Sequence, residues 1–359
     1  MKNIFFILCS ICFLPSVLWC QQNEEQFKDS IAAINEENEK TAQSKESYNR
    51  GIEFFEQGKY SEAINEFKGA LQLDPQFIDA LYNLGLSYQE LGKYKDAHGS
   101  FSVLLEYQEE NAKALTQRGM SSLKMKTYDA ALTDFMEVTF YETNNAEAFY
   151  NVGTVHFLNK DYQKAIEMFS KAISLNGNYA EAYNDRGSAY REQGNYEDAL
   201  KDYEKSAQLS SKPFIYNNIG STKHRMNDLE GAISSYSKAI SLDSKFYMAY
   251  NNRGKIYLEK GDKDKAMKDF NDAIVHNNAY PIAYNNRGAI YFKNENWNKA
   301  LEDWNKAVSL DPNYASAYYN RGLAKEMLRD QDGACSDWNK ASSLGLQKSD
   351  KLISSSCPQ

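Results

Sequence analysis

The chain has 359 residues, with 41 Lys plus Arg against 49 Asp plus Glu and a formal net charge of −8. Nucleic acid recruits a basic face, so this balance argues against a nucleic-acid partner. The four histidines have no metal-ligand spacing with cysteine or with each other, and there is no glycine-rich phosphate loop and no G-x-S-x-G elbow, so no catalytic residue, metal site or cofactor is expected.

Residues 1–20 read as a secretory signal: Lys2 precedes an apolar run from Ile4 to Leu18, short for a membrane span, with cleavage expected near Cys20–Gln21. The mature chain is then expected to be exported, to the periplasm or cell envelope or beyond, with no membrane span of its own. Two weaker readings stay open: a lipid anchor on Cys20, against which Trp19 stands where a lipoprotein signal carries a small residue, and an uncleaved anchor. Residues 21–43 form a polar lead. Phe27, Ile31 and Ile34 lie at helical spacing in it, which leaves two readings open: a helix packed on the chain that begins at Ser44, or a disordered lead-in.

From Ser44 the chain repeats. A glycine returns at Gly51, Gly85, Gly119, Gly153, Gly187, Gly220, Gly254, Gly288 and Gly322, at intervals of 34 residues with a single 33. Twelve residues after each stands an alanine, from Ala63 to Ala334, and four further an aromatic, from Phe67 to Trp338. Such a period marks units that cannot bury their apolar faces alone and must stack. The nine units are 44–77, 78–111, 112–145, 146–179, 180–212, 213–246, 247–280, 281–314 and 315–348. With the glycine numbered position 8, apolar residues recur at 4, 8 and 11 and again at 17, 20, 21 and 24, which predicts two short amphipathic helices per unit. Gly58, Gly92, Gly194 and Gly261 mark the break between them. Pro213 and Pro281 are expected to open first helices, and Pro75 and Pro312 to end second ones. The small residues at 8 and 20 allow the two backbones to approach, with the aromatic at 24 filling space between hairpins. Most of the 26 tyrosines fall on such packing positions.

Position 7 is Arg in six units, and position 23 is acidic in the same six and in no other. The pairs are Arg50 with Glu66, Arg118 with Asp134, Arg186 with Asp202, Arg253 with Asp269, Arg287 with Asp303, and Arg321 with Asp337. This co-occurrence predicts a guanidinium–carboxylate bridge between the two helices of a hairpin, a structural role in preference to a ligand-binding row.

The segments LYNLGLSYQELGKYKDA, AYNNRGKIYLEKGDKDKA and AYYNRGLAKEM resemble the tetratricopeptide repeat family. The resemblance covers residues 44–348 and implies an all-α fold: a right-handed superhelical solenoid of nine helix-turn-helix hairpins, its concave side lined by first helices, with a short C-terminal capping tail at 349–359. It implies positions 2, 5, 6, 9, 12 and 13 on that concave side. Position 6 is Asn in seven units, including Asn218, Asn252, Asn286 and Asn320, which looks like the asparagine ladder of the O-linked N-acetylglucosamine transferases, without their transferase domain. The carboxylate clamp of chaperone-binding members needs Lys at 5 and Arg at 6, and neither occurs. Position 2 turns apolar in repeats 6 to 8, at Phe214, Met248 and Ile282, where positions 5 and 6 are both Asn. An apolar strip beside paired amides suits an extended peptide.

Outside the signal two cysteines remain, Cys335 at a core position and Cys357 near the end. In an exported chain an even pair favours a disulfide, here one that would hold the tail across the last hairpin. The ending GACSDWNKASSLG with its late cysteine also resembles exported bacterial members of the family. The expected function is a non-catalytic scaffold that binds an extended protein segment in its concave groove, in an envelope or secretion assembly. Two alternatives stay open: a structural subunit with an unused groove, and an accessory that presents substrates to a separate enzyme.

Overall fold

The computed structural model describes residues 13–357, with side chains from residue 26 onward, in two compact units, Met1–Asn159 and Lys160–Gln359. Most of the expected signal, and the side chain of Cys20, lie outside the described residues. Every described element is a helix. The first unit contains α1 (Phe13–Glu56), α2 (Tyr60–Leu73), α3 (Ile78–Glu90), α4 (Tyr94–Tyr107), α5 (Ala112–Lys124), α6 (Tyr128–Tyr141) and α7 (Ala146–Leu158). The second contains α8 (Tyr162–Leu175), α9 (Ala180–Glu192), α10 (Tyr196–Leu209), α11 (Pro213–Arg225), α12 (Leu229–Leu242), α13 (Tyr247–Glu259), α14 (Lys263–His276), α15 (Pro281–Lys293), α16 (Trp297–Leu310), α17 (Ala315–Met327), α18 (Gln331–Ser343) and α19 (Lys348–Ser356). Within each unit successive helices pack as antiparallel hairpins, and each hairpin packs on the next.

The first helix stops at the same place in every repeat because position 15 adopts a left-handed backbone. Glycine fills it at Gly58, Gly92, Gly194 and Gly261, with φ between 69° and 84°. The other five repeats force Lys126, Lys160, Asn227, Glu295 and Arg329 into φ of 58° to 64°, a conformation that costs an ordinary L-residue about 1–2 kcal/mol. The next N–H then turns back to the carbonyl five residues earlier, as Lys93 N to Tyr88 O at 2.8 Å and Asp262 N to Tyr257 O at 2.8 Å, which closes the helix end. Only four of these nine stops carried a glycine signal in the sequence.

The position-24 aromatic seats on the position-8 glycine of its own hairpin. A methyl group at Gly85 would lie 2.5 Å from the Phe101 ring, and one at Gly220 would lie 2.7 Å from Tyr236. Rings at this position also pack with the next first helix: Phe67 with Leu84 and Tyr88, Tyr203 with Ile215 and Ile219, and Phe270 with Ile290. The aromatic therefore packs inside a hairpin as well as between hairpins.

The lead differs from the expectation, and the tail adds to it. The lead 21–43 is neither a separate helix packed on repeat 1 nor a disordered lead-in: it is part of the unbroken α1. Burial begins only at Ser44, whose Oγ donates to the Ala70 carbonyl at 3.0 Å. Upstream of it Phe27, Ile31 and Ile34 are 66%, 43% and 56% exposed, because α2 is too short to cover them. The tail, expected to cap the last hairpin with no conformation named, is a helix, α19. Its Leu352 and Ile353, with Cys357 just beyond it, pack on Ala334, Cys335 and Trp338, so it covers the surface that the first helix of a further repeat would cover. Among the described residues no helix is long and apolar enough to cross a membrane.

Candidate binding face of the first helices

The arginine–acid pairs come together in all six repeats. Arg118, Arg186, Arg253, Arg287 and Arg321 each hold their aspartate through two nitrogens; Arg253 does so at 2.8 Å and 2.8 Å, Arg287 at 2.9 Å and 2.6 Å. The five aspartates are buried. Arg50 and Glu66 meet at 2.9 Å in a more open setting, with Glu46 also on the arginine. The third nitrogen has a role that the pairing pattern did not suggest. It reaches back to the second helix of the preceding repeat: Arg186 to Ser170, Arg253 to Ser237, Arg287 to Asn271 and Arg321 to Asn305, at 2.8–3.0 Å. The signal was present at position 25, polar one repeat before each of these arginines. Tyrosines at positions 4 and 11 flank the guanidinium, as Tyr250 and Tyr257 do Arg253 at 5.7 Å and 5.9 Å. These arginines are occupied on every side and bind the protein to itself. Hydrogen bonding to Asp303 raises the Arg287 pKa, while burial pushes the Asp303 carboxyl up against the opposing pull of the guanidinium.

The asparagine row is also cross-linked. Asn218 Nδ2 donates to Asn184 Oδ1 at 3.1 Å, Asn252 to Asn217 at 3.0 Å, Asn286 to Asn251 at 2.9 Å and Asn320 to Asn285 at 2.9 Å. Asn251 and Asn285 in turn donate to Asn252 and Asn286 at 3.3 Å and 3.4 Å. The amides at positions 5 and 6 thus form a chain that runs from repeat 9 to repeat 6. Each position-6 amide nitrogen uses one of its two hydrogens in this chain, so one N–H per repeat remains for a ligand. Beside the row, Phe214 is 39% and Ile282 37% exposed, with Met248 half-buried between them, and none of the three is among the buried core residues. Cys335 and Cys357 are bonded, with their Cα atoms 5.6 Å apart. Among the described residues no group of three or more His, Cys, Asp or Glu is disposed to hold a metal ion.

A stack of two-helix hairpins sharing one face of first helices is the architecture of a repeat scaffold. Models described as "TPR repeat" match residues 51–92, 220–261, 254–295 and 290–328, and two described as "Tetratricopeptide repeat" match 144–212 and 82–140. The chain belongs to the tetratricopeptide repeat family, whose fold serves as a protein–protein interaction scaffold. No curated protein matches it closely enough to count as a relative. Among solved structures it is similar to the APC/C hetero-tetramer Cut9–Hcn1, at 14% identity and TM-score 0.57 over 88% of this chain and 76% of the other. It is also similar to yeast Tom70, at 18% identity and TM-score 0.49 over 87% and 95%. A third is YrrB, described as a TPR protein with an unusual peptide-binding site, at 22% identity and TM-score 0.40 over 51% and 95%. At 14% identity the likeness to Cut9–Hcn1 is one of fold alone.

Proposed function

We propose that the protein is a non-catalytic scaffold that holds an extended protein segment on the first-helix face of repeats 6 to 8, within an envelope or secretion assembly. The observation that carries this reading is the strip formed by Phe214, Met248 and Ile282: three apolar side chains at one register position, left outside the core, alongside a row of amides that each keep a free N–H. Apolar side chains of a bound segment would rest on the strip while its carbonyls accept from Asn218, Asn252, Asn286 and Asn320. Export of the mature chain, with or without a lipid on Cys20, belongs to the same proposal and rests on the sequence of residues 1–20. N-terminal mass analysis of the natural product, expected to begin near Gln21, checks it.

The test is crosslinking capture of the partner from the native envelope with the wild-type chain, the Asn252→Ala/Asn286→Ala double variant and Phe214→Ser. Loss of two hydrogen bonds at about 0.5–1.5 kcal/mol each weakens capture about tenfold. The cross-linked amides favour one competing reading, in which the row only sets the repeat register and the chain is a structural subunit. Capture that is untouched by both variants, together with lowered thermal stability of the double variant, would establish that reading instead.

A further inference from the structure

We propose that the same face carries an anion subsite at repeats 5 to 7, which takes a carboxylate of the bound segment. The proposal rests on the groove reading above and names the chemistry of its ligand. Two recesses adjoin there. One, of about 560 Å³, lies between the end of α9, the turn after it, and α11, and is lined by Arg191, Glu192, Asn217, Asn218, Ser221 and Arg225 among others. The second, of about 420 Å³, is lined by Ser221, His224, Arg225, Tyr236, Asn252 and Lys255. They share Ser221 and Arg225, and so form one trough.

In a chain of net charge −8 this trough gathers three cations, Arg191, Arg225 and Lys255, against a single acid in its wall, Glu192, which sits 3.4 Å from Arg191. His224 is bound to Glu259 at 2.8 Å on the far wall. Among the described residues Arg191 has Glu192 as a partner, whereas neither Arg225 nor Lys255 forms a salt bridge with an acid. The uncharged lining adds donors. Asn217 uses its oxygen to accept from Asn252, so its NH2 group is left over, and Ser221 offers a hydroxyl. Guanidinium, ammonium, amide N–H and hydroxyl groups gather in a wall where Glu192 is the one acid, and the complementary group is an anion with several lone pairs. Because the amide row beside it is suited to peptide carbonyls, the anion source is a peptide carboxylate: an Asp or Glu side chain, or a chain terminus.

The helix between the two features sets a spacing. Phe214 stands at the start of α11 and Arg225 at its end, about 16 Å apart at 1.5 Å per residue. An extended segment covers that distance in about five residues. The ligand should therefore carry its acid about five positions from a large apolar residue.

The experiment selects displayed random twelve-residue peptides on the full chain, then measures binding of a selected peptide by fluorescence anisotropy. The expected peptides pair a large apolar residue with an acid about five positions away. Replacing that acid by its amide, or substituting Arg225→Ala with Lys255→Ala, should weaken binding at least tenfold, and the doubly changed chain should no longer distinguish acid from amide. Affinity should fall between 50 and 500 mM salt, roughly as screening requires. C-terminal amidation of the peptide separates a terminal carboxylate from a side-chain one. Selected peptides without acids, or equal affinity for acid and amide forms, overturn the subsite and leave the groove reading standing. Binding that survives Phe214→Ser but falls with Arg225→Ala/Lys255→Ala keeps the subsite and overturns the apolar strip. Selection of no peptide by the full chain overturns both.

Discussion

Removal of the Arg287 side chain tests the idea that the fork holds the solenoid together. In Arg287→Ala the Asp303 carboxylate, 5% exposed, loses both of its guanidinium bonds, at 2.9 Å and 2.6 Å, and Asn271 on the preceding repeat loses its donor at 2.8 Å. Breaking a buried pair from one side costs about 3–5 kcal/mol, because the remaining charge is left uncompensated. Asp303→Ala removes the acid and leaves a guanidinium that is 20% exposed and keeps Asn271, so its cost should be lower, about 2–3 kcal/mol. The double variant should cost little more than Arg287→Ala alone, a coupling of about 2–3 kcal/mol. There is a pH signature as well. Burial already pushes the Asp303 carboxyl up, and without Arg287 nothing opposes that. A folded-state value above the unfolded one means that the protonated form is favoured by folding, so stability is present at low pH and lost as pH rises. Arg287→Ala should therefore be closer to wild type at pH 5 than at pH 8. Urea unfolding followed by circular dichroism, with hydrogen exchange to locate the loss in repeats 7 to 9, measures both effects. Additive single costs, or an unchanged difference between the two pH values, would refute the account.

Three further outcomes are expected from the packing. Gly85→Ala places a methyl group 2.5 Å from the Phe101 ring and should destabilise by about 1–3 kcal/mol, whereas Gly99→Ala, in α4 with open space around it, should stabilise by about 0.5–1 kcal/mol; thermal melts of the two compare them directly. Reduction of the Cys335–Cys357 bond, which closes 22 residues, should release α19 at a local cost of about 3 kcal/mol while the other repeats keep their exchange protection; free thiols in non-reduced natural protein would show that the bond does not form. Burial pushes the Tyr236 hydroxyl up to about 12, with Ser221 partly offsetting it. Its contribution is whole below pH 10 and is lost as pH rises from 10 toward 12, so Tyr236→Phe should flatten the alkaline loss of stability and remove a late step from the ultraviolet phenol titration.

Much of this protein could be read from its sequence because a repeat reports its environment nine times. Glycine at position 8, alanine at 20 and an aromatic at 24 recur because a ring must lie flat on a bare backbone, and that constraint is local to one hairpin. The arginine–acid pairs were legible for the same reason: sixteen residues is a fixed distance within a hairpin, so the two partners vary together. What joins one hairpin to the next was less visible. The third arginine bond to Ser170, Ser237, Asn271 or Asn305, and the asparagine chain from repeat 9 to repeat 6, depend on how neighbouring hairpins are set against each other, which tertiary packing decides. The same holds at both ends. Nothing in the polarity of residues 21–43 separates a helix that stands alone from a disordered lead, and only the length of α2 decides where burial begins, at Ser44. The tail becomes helical because Trp338 and Cys335 present an uncovered apolar surface to Leu352 and Ile353. The trough at Arg191, Arg225 and Lys255 likewise draws its cations from positions 12, 13 and 9 of three successive repeats, residues that share no period and meet only once the first helices stand side by side.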